Sequence, residues 1–105
     1  MSISNKVKPL ILTTVLTTSL LIAGTSETIR ITHVICSCGT TAGTISLSLY
    51  DSSTGTTSRI FNAKPITANN NLEVFDLFLE PNDEIRGGYT AASNAEIIIS
   101  YQIET

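Results

Sequence analysis

The feature that most constrains this chain is a two-residue rhythm, broken at short intervals by turn-forming residues. From Thr44 to Tyr50, Ile45, Leu47 and Leu49 fall on one side, with Ser46 and Ser48 opposite. From Glu96 to Glu104, Ile97, Ile99, Tyr101 and Ile103 form one stripe, and Ile98, Ser100 and Gln102 the other. Successive side chains of a strand point to opposite faces, so this alternation marks half-buried β-strands. No stretch repeats apolar residues at helical spacing between caps. Two segments change phase part-way. Ile29 and Ile31 give way to Val34, Cys36 and Cys38, and Leu72 and Val74 give way to Phe75, Leu77 and Leu79. A bulge near His33 accounts for the first slip, and the second is of the same kind.

The breaks carry turn chemistry: Gly24-Thr25-Ser26, Gly39 to Gly43, Asp51 to Gly55, Asn69-Asn70-Asn71, Pro81-Asn82-Asp83, Gly87-Gly88 and Ser93-Asn94. Pro81 followed by Asn82-Asp83 reads as a type I turn leading into a strand. Pro65 demotes its segment to an edge strand or a loop. The resulting strands are 9–16, 18–23, 27–38, 44–51, 57–63, 72–79, 84–90 and 95–104. About eight antiparallel strands in one small chain imply two packed sheets, so the expected fold is all-β: an antiparallel β-sandwich with jelly-roll or related Greek-key topology. Residues 9–105 form that single domain. Residues 1–8 are polar and read as an extended N-terminal arm. In an assembling protein such an arm lies on a neighbour, which makes Ile3, Val7, Leu10 and Leu12 the expected partner-contact residues and residues 1–8 separable from the folded domain.

Composition narrows the class further. Ile, Leu, Val, Thr and Ser make up more than half of the 105 residues, and charged residues only 14%. That is about half the usual charged share, too little for a coiled coil, a helical bundle or a disordered acidic tail. A net charge of −3 with six scattered basic residues argues against a nucleic-acid partner. Lys6 and Lys8 before the apolar run to Ala23 resemble the start of a signal peptide. However, Thr13, Thr14, Thr17, Thr18 and Ser19 interrupt that run, and Leu21 and Ala23 fit a cleavage site poorly. The same hydroxyl content argues against a membrane span.

The residues offer little chemistry. Cys36 and Cys38 lie two apart, so in a strand they share a face and are badly placed to bridge one another. Two thiolates do not complete a zinc site, and His33 is the one good candidate for a third ligand. The plainer reading is two small side chains packed at a strand end, and for His33 a strand histidine with a local hydrogen bond. No nucleophile elbow, His-Glu-x-x-His or phosphate loop is present, so no catalytic residues, metal ligands or cofactor are assigned and an enzyme is not expected. Glu80-Pro81-Asn82-Asp83-Glu84 gathers three carboxylates that could serve calcium, without the spacing of an EF-hand loop. The dispersed Tyr and Phe residues read as core or interface anchors.

Three segments carry a resemblance. One is Leu20-Leu21-Ile22-Ala23-Gly24-Thr25 running into the strand to Val34. Another is Leu72-Glu73-Val74-Phe75 followed by Leu79-Glu80-Pro81-Asn82-Asp83-Glu84-Ile85. The third is Ala91-Ala92-Ser93-Asn94-Ala95 followed by Glu96 to Tyr101. Together they resemble a group of small all-β virion structural proteins of tailed bacteriophages, over roughly residues 20–104. The Thr-rich stretch 9–19 and Cys36-Ser37-Cys38 depart from that pattern. The resemblance implies a capsid decoration or cement protein, bound to the major capsid protein as a homotrimer, located in the virion and assembled in the host cytoplasm. A neck, tail or fibre part is the alternative within the particle. A secreted carbohydrate- or calcium-binding sandwich, using Asp83 and Glu84, is the alternative of another class.

Overall fold

Eight strands form where the alternation places them. They are β1 (Ile3–Ile11), β2 (Ser19–Ile22), β3 (Thr28–Ser37), β4 (Gly43–Asp51), β5 (Thr56–Ile66), β6 (Asn71–Leu79), β7 (Glu84–Thr90) and β8 (Glu96–Glu104). The structure is a computed structural model that describes residues 2–90 and 95–105; the Ser93-Asn94 turn lies outside the described residues. The strands make two four-stranded antiparallel sheets, ordered β1-β8-β3-β6 and β2-β7-β4-β5. First pairs with last, β2 with β7, β3 with β6 and β4 with β5. The chain is thus one long hairpin ribbon, rolled so that β3 meets β8 and β4 meets β7. This is the jelly-roll solution to covering two apolar sheet faces with each other.

The stripes read from the sequence fill the space between the sheets. Ile29, Ile31, Val34 and Cys36 of β3 and Ile97 and Ile99 of β8 face Ile45 and Leu47 of β4 and Ile85 of β7. Truncating one of these isoleucines to Ala would cost about 2–5 kcal/mol, the lost transfer energy plus the cavity. Both phase slips have a structural cause. The β3–β8 register shifts between Ile31 and His33, leaving Thr32 as the extra residue. Opposite it in the β3–β6 register stands Asp76, at φ 57°. The two irregularities sit side by side and turn both strands together.

The structure differs from the sequence reading at four places. Residues 3–8 are not a free arm; they are the first part of β1, paired to β8 from Ile3↔Glu104 to Ile11↔Glu96. Ser2 and Thr105 extend that ladder by exchanging both backbone hydrogen bonds, 3.4 and 3.1 Å. An edge strand lends little to the core, so it lacks the apolar stripe that betrays inner strands. Residues 12–18, expected to be mostly strand, form a loop. Thr18 Oγ1 donates to the Val15 carbonyl at 2.8 Å, and the Thr13 and Thr18 carbonyls accept from Tyr89 and Gly87 N–H at 2.9 and 3.0 Å. Threonine hydroxyls compete here with ladder bonding. The turn at residues 80–83 is type II rather than type I: Asp83 N–H donates to Glu80 O at 3.0 Å, while Asn82 takes φ 68°. Gly87-Gly88 is no break but the middle of β7. A Cβ on Gly88 would stand 2.6 Å from the Thr13 and Val15 carbonyl oxygens, so glycine lets the β1–β2 loop lie against the strand. Pro65 sits in β5, an edge strand as its proline requires.

Candidate interaction surface

The outward faces of the two sheets differ in chemistry. On β2-β7-β4-β5 the exposed side is mainly polar, with Ile22 of β2 as an exposed apolar residue beside Glu84. Arg86 donates to both Glu84 carboxylate oxygens at 3.1 and 3.2 Å, and its guanidinium lies 4.0 Å from the centre of the Tyr50 ring. The paired guanidinium holds the Glu84 carboxyl below its usual range, with a smaller contribution from Ser19. Ser46, Ser48 and Arg59 continue this side.

On β1-β8-β3-β6 the outward side carries large apolar groups. Among the described residues, the exposed ones on this face are Ile3, Val7 and Ile11 of β1, Ile98 of β8, and Phe75 and Phe78 of β6; Val15, Leu16 and Ile22 lie elsewhere. Cross-strand register aligns them. Pro9, Ile98 and Ile35 form one row. Val7, Ser100, His33 and Phe75 form the next. His33 stacks on Phe75, centroids 4.8 Å apart and planes 13° from parallel, and its Nε2 is 3.2 Å from Glu73 Oε1. Arg30 and Asp76 form a looser pair at 3.7 Å beside Phe78. A shallow groove of about 240 Å³ follows the end of this face between Pro9, Ile11, Glu96 and Ile98. The exposed apolar groups thus form two sets on one face, Val7, Pro9, Ile11 and Ile98 on β1 and β8 and Phe75 and Phe78 on β6, with Ser100, Gln102, Arg30 and His33 between them. Large apolar side chains exposed on a sheet face are the chemistry of a contact surface.

The expected contact residues fall on both sides of β1. Ile3 and Val7 are exposed on this face, Val7 at 66%. Leu10 is half-buried against the core of its own chain, and Leu12 is a core residue at 2% exposure, so Leu12 is not a partner contact. Ile11 and Ile98 are not among the expected contacts. Phe75, expected on the inward stripe with Leu77 and Leu79, instead faces outward opposite His33, and Phe78, expected as a core or interface anchor, is exposed beside Arg30. Ile98 interrupts an otherwise polar stripe, and that apolar residue on the solvent side was its signal. The phase slip at Asp76 hid Phe75 and Phe78.

The other candidate sites resolve into local structure. Cys36 and Cys38 are free, buried and inward-facing, whereas His33 faces outward, so the sheet itself separates the three as zinc ligands. Burial pushes the Cys36 thiol up to about 12. Cys38 Sγ donates to the Thr41 carbonyl. The Asp83 carboxylate turns inward onto Ser52 and the Glu80 N–H, and Glu84 is held by Arg86. No group of three or more metal-ligating side chains occurs among the described residues.

No family model and no curated protein matches this chain. Among solved structures it is similar to a chain in the structure of infectious bursal disease virus, Gx strain. The identity is 9% and the TM-score 0.45, over 97% of this chain and 36% of the viral one. The chain spans little more than a third of that viral chain's length.

Proposed function

We propose that this protein is a structural part of a tailed-bacteriophage particle, a capsid decoration or cement protein that associates with copies of itself and grips the shell. The observation that carries the reading is the outward face of the β1-β8-β3-β6 sheet, where Ile3, Val7, Ile11, Ile98, Phe75 and Phe78 are all exposed on one side. Covering such a face stabilises an oligomer, and symmetric repetition lets modest contacts add up on a particle. The hydroxyl-rich, weakly charged composition and the sequence resemblance support the same reading. The carboxylates that a calcium- or sugar-binding module would offer, Asp83 and Glu84, already serve their own chain.

The test is assembly. The purified chain should run as an oligomer, with three copies the expected number, and should co-sediment with emptied phage shells in many copies per particle. The variant Val7→Ser/Phe75→Ser/Ile98→Ser should fold, because all three side chains are exposed, and should run as a monomer. A wild-type chain that stays monomeric and ignores shells would overturn the proposal. Binding in a few copies at the neck or tail would move it to those positions.

A further inference from the structure

The outer edge of β1 is open, and its chemistry is selective. Ser2 and Thr105 exchange both hydrogen bonds, and Leu12 N–H donates to Ala95 O at 2.8 Å. Paired residues alternate in an antiparallel ladder, so the even-numbered residues of β1 bond to β8. The N–H and C=O groups of Ile3, Asn5, Val7 and Ile11 therefore point away from the sheet. Pro9 falls on the same open side. Its missing N–H costs no bond to β8 but removes one donor from the edge, a device that discourages indiscriminate strand addition. Lys6 and Lys8 flank Val7 on the other face of the strand. Their β8 neighbours are Tyr101 and Ile99, and among the described residues neither lysine belongs to an ion pair. A second β1 makes a poor occupant. The two-fold register that pairs all of β1 sets Val7 against itself and Lys6 against Lys8 twice, and like charges placed opposite destabilise a ladder.

We propose that β1 is the acceptor edge for an extended acidic segment of a partner protein. That segment adds beside Ile3 to Lys8 with carboxylates facing Lys6 and Lys8 and apolar side chains beside Ile3 and Val7. Main-chain hydrogen bonds hold the added strand, and the alternating side chains select it. Under the virion reading, on which the partner's identity rests, the segment belongs to the shell protein; the edge chemistry itself stands on β1.

The test titrates the full, isotope-labelled chain with a blocked peptide of alternating Val and Glu, and separately with one carrying Lys for every Glu. Amide resonances of Ile3, Asn5 and Val7 should shift with the Glu peptide. Its affinity should exceed that of the Lys peptide by about tenfold or more at low salt, and the gap should narrow as salt screens the pairs. Val7→Pro removes an open-edge donor without touching a bond to β8 and should abolish binding. Lys6→Gln/Lys8→Gln should close the gap between the peptides. Equal affinity for both peptides, no binding of either, or undiminished binding to a folded Val7→Pro chain overturns the proposal. A chain that takes the Glu peptide but never joins shells refutes the virion reading alone; one that decorates shells and ignores the peptide refutes the edge alone.

Discussion

The Asp83 carboxylate accepts from Ser52 N–H at 3.1 Å, Ser52 Oγ at 3.3 Å and Glu80 N–H at 3.1 Å. Its backbone joins in: Ala23 N–H donates to Asp83 O, and Asn82 N–H to Ala23 O, both at 3.0 Å. The side chain of this residue, 6% exposed, thus ties the β4–β5 loop to the β6–β7 loop, and its backbone adds the β2–β3 loop. Asp83→Ala strands buried donors and should cost about 2–3 kcal/mol in urea unfolding. Asp83→Asn, which keeps an acceptor, should recover part of that. The thiols make a second test at this scale. With Cys36 protonated and both sulfurs covered, a thiol reagent should find neither cysteine in the folded chain and both once it is denatured. The sequence showed that these residue types were present, but not which way each pointed. The acid run at 80–84 reads equally as a cation site or a turn until Ser52, thirty-one positions upstream of Asp83, is brought beside it.

At the scale of strands, period-two stripes revealed the inner elements because those strands bury one whole face. Even the bulge near His33 was legible, since an extra residue must move the stripe to the other parity. The edge strand was not legible. β1 is largely exposed on both faces, so Ser4, Asn5 and Lys6 look like solvent-facing chain. Its pairing with β8 makes a clear prediction. Removing residues 1–8 takes away the ladder from Ile3↔Glu104 to Lys8↔Ile99 and leaves β8 as a raw apolar edge. The truncated chain should lose a few kcal/mol at about 1 kcal/mol per net hydrogen bond, visible as an earlier denaturation midpoint. It should also aggregate by light scattering. A truncation as stable and soluble as the full chain would mean that β1 is dispensable to the domain.

For the molecule as a whole, strand count and two-layer packing followed from length, hydroxyl content and turn spacing, whereas the order of strands did not. Which edge meets which is set by the rolling of the ribbon, a long-range event that leaves no local trace. Charge adds a global prediction. Glu84, beside Arg86, and Asp51, bonded by Ser53, both titrate below the ordinary carboxylate range in the folded chain. Their contribution to stability is present above the unfolded carboxylate value and is lost as pH falls through the folded one. Unfolding followed against pH should therefore show a falling acid limb. Arg86→Gln should lower stability near neutrality and flatten that limb, with the two proteins converging in acid. The rolled ribbon has one more result. Because Ser2 and Thr105 are hydrogen-bonded to each other, a cargo domain spliced before the first strand or after the last leaves from the same corner. A short peptide bridge joining the two ends would turn the chain into a circle that could be reopened at any surface loop.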